Sequence, residues 1–175
     1  MRSAAVLLTA LFLPGASAAP GHPAAHDRRQ LEQLAQHYLQ RRADKVTAVA
    51  QTPGFGVPVT QALAAVLRVD EAKLDRRRER HEKLPHGGYS RAEVTTELRR
   101  TTVDPDGSVV VHLHEVTDLY FAKSTTFDHT SYGMPHVLVF ERGPAGWVLA
   151  AATRPPGSKC GLPPETQFCG HLSER

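Results

Sequence analysis

Ser108-Val109-Val110-Val111-His112-Leu113-His114-Glu115-Val116-Thr117-Asp118-Leu119-Tyr120-Phe121 reads as one long β-strand, and the rest of the chain is arranged around it. Alternate side chains of a strand point to opposite faces of its sheet. His112, His114, Val116, Asp118 and Tyr120 therefore share one face. Val109, Val111, Leu113, Leu119 and Phe121 share the other, which is mostly core although Glu115 and Thr117 interrupt it. Two imidazoles, a carboxylate and a phenol are thus displayed together on a single surface.

Outward from this strand, Asp104-Pro105-Asp106-Gly107 is a hairpin turn, and Glu93 to Val103 is the strand that enters it. After a looser segment, Ala122 to Tyr132, a third strand is expected at Pro135 to Glu141. Arg142-Gly143-Pro144-Ala145-Gly146 then turns the chain into a fourth strand, Trp147 to Ala152. Upstream the period changes to that of a helix. Leu31, Leu34, Ala35, Tyr38, Leu39 and Val46 form one apolar stripe of a helix that starts with Asp27 as N-cap and Gln30 in a capping-box position, and ends near Val49. Arg28, Arg29, Glu32, Gln36, Gln40 and Arg41 supply its wet side. Gln51 to Pro58 is a turn-rich connection that Pro and Gly keep from being helical. A second helix runs from about Thr60 to Leu84 with Leu63, Val66, Leu67 and Leu74 buried, stopped by Pro85-His86-Gly87-Gly88. Two helices followed by about four antiparallel strands give an α+β fold, with the helices on one face of a curved sheet.

Residues 1–19 have the layout of a secretory signal: Arg2, an apolar run from Ala4 to Leu13, and the small residues Ala16 to Ala19. That run is too short to span a bilayer. The expected organisation is a signal peptide over 1–19, a flexible leader over 20–26, an α+β domain over 27–153 and a Pro/Gly-rich tail over 154–175. About 155 residues after export are enough for one hydrophobic core. In an oxidising compartment Cys160 and Cys169, closing a short Pro/Gly loop, read as a disulfide worth about 2–3 kcal/mol. Their spacing is not that of a redox dithiol or a zinc knuckle.

The charge balance excludes some functions. With 21 Lys and Arg against 18 Asp and Glu, the net charge of +3 implies neither a nucleic-acid partner nor a stable membrane anchor. Ten histidines make the charge rise as pH falls through the imidazole range. The run Asp75 to Lys83 reads as a solvated helix face with pairs such as Glu79 and Lys83 at helical spacing. Its functional alternative is a docking surface for acidic wall polymers.

Tyr38-Leu39 with Arg41-Arg42-Ala43, Glu115 to Tyr120, Tyr132 to Phe140 and Gly146 to Leu149 carry a resemblance to the nuclear-transport-factor-2-like, or SnoaL-like, domains. In that form the chain resembles the domain that precedes an amidase-like catalytic domain in secreted actinobacterial proteins. The resemblance covers about Asp27 to Ala152 and implies a cone in which a curved sheet wraps helices. Both cysteines sit in the expected staple, so no papain-type nucleophile is expected and amidase activity is not carried over.

Three readings of the sites follow. His112 and His114 have the spacing that lets two strand residues reach one metal, with His136 as a third ligand from the next strand and Glu115 on the wrong face to join them. Enzymes of the cone fold use an Asp or His base with a Tyr that polarises a carbonyl, which implies Asp118, His136, Tyr120 and Tyr132 here. The preferred reading is a secreted, extracellular domain that binds and does not catalyse, with no cofactor and no catalytic, cofactor-binding or metal residues of its own. Its partner would be a small molecule or an extracellular protein, met through the His112, His114 and Asp118 face, and pairing into a homodimer falls within the same reading.

Overall fold

The computed structural model describes residues 21–123 and 126–155. Helix α1 spans Ala25–Asp44 and α2 spans Gln61–Glu82. Strands β1 (Tyr89–Val103), β2 (Val109–Phe121), β3 (His129–Gly143) and β4 (Gly146–Thr153) form one antiparallel sheet in the order β1-β2-β3-β4. This is the expected α+β arrangement of two helices followed by a curved, open four-stranded sheet. Bulges between Tyr89 and Arg91 and between Leu98 and Arg100 of β1, and at Ala150 of β4 opposite Val139 and Phe140, put the bends into the strands.

β2 has the two faces its alternation dictates. Val109, Val111, Leu113, Glu115, Thr117 and Leu119 are all buried, whereas His112, His114, Asp118 and Tyr120 are half-buried and Val116 is exposed. The buried face meets Leu31, Ala35, Tyr38 and Leu39 of α1, and Leu63, Leu67 and Leu74 of α2 join the same core. From β3 and β4 come Leu138, Phe140, Trp147 and Leu149.

Several boundaries differ from the sequence reading. The first helix starts at Ala25, so Asp27 lies in its first turn and is not the cap. Its carboxylate instead accepts from Trp147 Nε1 at 3.3 Å and pairs with Arg142 at 2.7 Å, tying the start of α1 to the β3–β4 turn. Gly21, expected in a flexible leader, accepts from Val103 N at 3.1 Å. The helix stops at Asp44, short of Val49, because Thr47 N and Oγ1 both donate to Asp44 O and Ala48 N donates to Tyr89 O. Val66 was expected in the core but is 56% exposed on the outer side of α2. β3 begins at His129, six residues before the expected Pro135, since the backbone is recruited by β2 even where its own pattern is irregular. The expected signal segment and the Cys160–Cys169 loop lie outside the described residues.

Gln36 and Gln40, read as part of the wet side of α1, serve the backbone of β1. Gln40 Nε2 donates to Ala92 O at 3.0 Å and its Oε1 accepts from Val94 N at 3.0 Å. Gln36 Nε2 donates to Val94 O at 2.6 Å and its Oε1 accepts from Thr96 Oγ1 at 2.7 Å. Two amide side chains thereby stand in for a neighbouring strand and cover an edge that would otherwise present open donors and acceptors.

The connection between the helices crosses from one edge strand to the other. Thr47 bridges Tyr89 at the start of β1, and Val59 bridges Leu149 in β4. Thr60 caps α2 by accepting from Leu63 N at 3.3 Å, so the second helix begins at the β4 edge. At its far end Arg78 Nη1 donates to Lys45 O, the C-cap carbonyl of α1, at 3.3 Å. The basic run therefore has an inward member. Arg78 also pairs with Asp75 at 3.1 Å, while Arg76 and Arg80 are exposed.

Candidate functional site

The register of β2 against β3 decides which polar side chains meet. Glu115 lies opposite Met134, Thr117 opposite Tyr132, and Leu113 opposite His136. His136 and Tyr132 therefore flank Glu115 diagonally on the face turned to the helices. Glu115 is 1% exposed and His136 5%, and His136 Nε2 stands 2.5 Å from Glu115 Oε2. Facing a carboxylate, which only accepts, that nitrogen is the one that carries the proton. Glu115 Oε1 accepts from Thr117 Oγ1 at 2.6 Å and, at the long distance of 3.4 Å, from Tyr132 OH.

Helical spacing brings a cation to the same interior. Tyr38 and Arg42, one turn apart on α1, are both buried, and Arg42 Nη1 donates to Tyr38 OH at 3.1 Å. Burial works against the Arg42 charge, but Tyr38, Asp70 and Glu115 outweigh it and hold the guanidinium above its ordinary pKa. Lys45, 2% exposed, donates from Nζ to Thr52 O at 2.5 Å and to the Glu71 carboxylate. A cavity of about 250 Å³ lies on this side of the sheet, between Glu32 and Ala35 of α1 and Leu98, Val111 and Leu113, away from Glu115.

On the outer face the chemistry is lateral. Tyr120 OH donates to Glu93 Oε2 at 3.0 Å, the Arg91 guanidinium lies 3.5 Å above the Tyr120 ring and also pairs with Glu93. Ser131 Oγ donates to Asp118. Arg100 Nη2 donates to His112 Nε2 at 3.1 Å. His114 covers Gly133: a Cβ at that glycine would come within 2.8 Å of His114 Nε2.

The sequence-predicted residues are thus divided between two surfaces. His112 lies opposite Val137 and His114 opposite Pro135, so both face outward, while His136 faces the core. The three imidazoles do not converge, and among the described residues no group of three or more His, Cys, Asp or Glu is placed to hold a metal ion. The set Asp118, Tyr120, His136 and Tyr132 is split in the same way: the first two lie outside, the last two inside. Glu115, which the strand parity had separated from the two histidines, is the centre of the inner group. Its signal was the break that Glu115 and Thr117 make in an apolar face. Arg42 has the corresponding signal, an arginine one helical turn beyond Tyr38 in the apolar stripe.

His112 gives the outer face a pH dependence. Partial burial, and then the neighbouring Arg100, lower its pKa below the usual imidazole value. Protonation would also take away the lone pair that accepts from Arg100. The unfolded chain therefore binds this proton at higher pH than the folded one, so this contribution to stability is present above the ordinary imidazole pKa and is lost as pH falls through it. Chemical denaturation of wild type and His112→Gln between pH 7.5 and 5 should show the shallower fall in the variant.

No family model and no curated protein matches the chain. Among the described residues no helix is long and apolar enough to cross a membrane. Of solved structures, the Kfla4162 protein from Kribbella flavida is similar at 16% identity over 75% of this chain and 91% of that one, with a TM-score of 0.44. The intermembrane space region of the chloroplast protein ARC6 is similar at 11% identity over 72% of this chain and 94% of that one, with a TM-score of 0.34.

Proposed function

We propose that the chain is an exported, non-catalytic binding or accessory domain of the nuclear-transport-factor-2-like kind, and that it meets its partner, an extracellular protein or a small molecule, through the outer face of the sheet. The order of two helices and four antiparallel strands supports the fold assignment, and the layout of residues 1–19 and the pair Cys160 and Cys169 support export. One observation carries the functional reading: the side chains able to do chemistry are divided. Asp118 and Tyr120 are outside the sheet, and His136 is sealed inside against Glu115. Acid–base catalysis needs its groups within hydrogen-bond reach of one substrate atom, and this division puts them on opposite sides of a β-sheet.

The outer face suits recognition. Its Arg91, Glu93 and Tyr120 are held by one another, Asp118 by Ser131 and His112 by Arg100, so little side-chain freedom remains to be lost when a partner docks. The test compares wild type with His114→Ala, Asp118→Ala on an affinity support, exposed to the extracellular proteins and metabolites of the producing cell. The expected result is a stoichiometric partner held by wild type and lost by the variant at unchanged melting temperature. Retention that ignores the outer-face changes would count against the proposal. Turnover abolished by His136→Ala at unchanged stability would replace it with an enzymatic reading.

A further inference from the structure

Helix α2 carries a second stripe that its packing does not use. Leu63, Leu67 and Leu74 face the core. On the other side, at helical spacing, lie Ala62, Ala65, Val66, Val69 and Ala72, all exposed, with the two valines at 56% and 55%. The same stripe continues toward the C-cap as Arg76, Arg80 and Lys83, again exposed. One face of the helix is therefore apolar along its first half and basic along its second.

The fold explains neither half. The outer side of a surface helix is ordinarily polar, and valine there gains no burial and has a lower helix propensity than alanine, lysine or glutamate. The acids of α2 do not neutralise the basic half. Asp75 and Glu82 both pair with the inward Arg78, at 3.1 and 3.9 Å, Asp70 pairs with Lys73 at 3.5 Å, and Glu71 pairs with Lys45. Among the described residues no carboxylate pairs with Arg76, Arg80 or Lys83, and Glu79, expected to meet Lys83, does not. The helix dipole favours cations in the last turn, which accounts for Arg80 and Lys83 but not for Arg76.

We infer that this face of α2 docks an amphipathic helix of a partner protein, acidic in its first half and apolar in its second, lying antiparallel to α2. Antiparallel packing sets the partner's N-terminal half against Arg76, Arg80 and Lys83, and acids in the first turns of a helix are those its own dipole favours. The partner's second half then covers Val66 and Val69, where the small side chains of Ala62, Ala65 and Ala72 let the two axes come close. Other occupants match one half only. A flexible polyanion satisfies the arginines and leaves the valines in water. A lipid surface takes a helix with apolar and basic residues on opposite sides, whereas here they are separated along the axis. A second copy sets basic half against basic half when parallel, and against the positive end of the other helix when antiparallel. This face lies on the helix layer and is distinct from the outer face of the sheet proposed above.

The test is fluorescence anisotropy of the chain with a labelled synthetic helix of about six turns, the length of α2. The peptide carries Glu on one stripe through its first half and Leu on the same stripe through its second. A control peptide of the same composition alternates Glu and Leu along the stripe. The first peptide should bind at least about tenfold more tightly than the control. Val66→Ser with Val69→Ser, and separately Arg76→Glu with Arg80→Glu, should each weaken it by about tenfold or more, the first by losing buried apolar area and the second by opposing like charges. All four side chains are exposed, so neither change touches the core. No binding, or equal binding of the two peptides, overturns the proposal. So does polyglutamate bound as tightly as the first peptide, the result for a face that attracts any polyanion. Anionic lipid vesicles bound more tightly than the peptide, or a wild-type dimer in sedimentation that Val66→Ser with Val69→Ser dissolves, would assign the face to a membrane or to a second copy and overturn it equally.

Discussion

Replacing His136 with Ala is expected to lower the free energy of unfolding by about 3–5 kcal/mol, the range for leaving a buried carboxylate without its hydrogen-bonded partner. The reason is what the substitution leaves behind. Glu115 is 1% exposed, and with the imbalance uncorrected its Oε2 loses the donor 2.5 Å away while water cannot replace it. Thr117 Oγ1 and the distant Tyr132 hydroxyl reach the other oxygen, Oε1. Deleting the whole polar knot should cost far less than deleting one member. In Glu115→Leu, Thr117→Val, His136→Leu, apolar side chains of similar bulk replace the group, and most of the loss should be recovered. Urea denaturation of the single and triple variants, with unchanged m-values, is the measurement. A cost below about 1 kcal/mol for His136→Ala would mean that the carboxylate is not sealed from water.

Lys45→Met is the second large effect, expected at about 2–4 kcal/mol, somewhat below the range for fully buried pairs because water reaches Glu71. Lys45 joins three parts of the chain. It is the C-cap of α1, it holds the Thr52 carbonyl of the interhelix connection, and it pairs with Glu71 of α2. Methionine keeps the length and apolar stem, so the change isolates the charge. Adding Glu71→Met should return part of the loss, leaving the Thr52 carbonyl and the Gly54 amide without their side-chain partners. Exchange of the Gly54 amide should accelerate in Lys45→Met more than exchange in β2 does, since Glu71 is released from its cation and with it the anchor of Gly54.

The strand at Ser108 to Phe121 was legible because Val109, Val111, Leu113, Leu119 and Phe121 keep a period of two on either side of Glu115 and Thr117, which leaves only one assignment of faces. The helices were legible from the stripe Leu31, Ala35, Tyr38 and Leu39, and the hairpin from Asp-Pro-Asp-Gly. Helix ends were less so. Asp27 has the chemistry of an N-cap, but Trp147 and Arg142 claim its carboxylate from more than a hundred residues away. Val66 has the hydrophobicity of a core residue, yet α2 is rotated so that Leu63, Leu67 and Leu74 face inward and Val66 faces out.

For the site, the sequence by itself determined parity within one strand: His112, His114 and Asp118 on one face, Glu115 and Thr117 on the other. Parity is a property of the backbone and needs no partner. Which face His136 shares was decided only by the tertiary structure, because side-to-side register between β2 and β3 depends on where the intervening segment lets pairing begin. With Leu113 opposite His136, the imidazole turns to the core and joins Glu115; a shift by one residue would have turned it to His112 and His114. The same holds for Lys45 and Phe55. Nothing in their local pattern marks either as buried, and they become so only when the interhelix connection is drawn across the sheet from Tyr89 to Leu149 and folds over the residues beneath it.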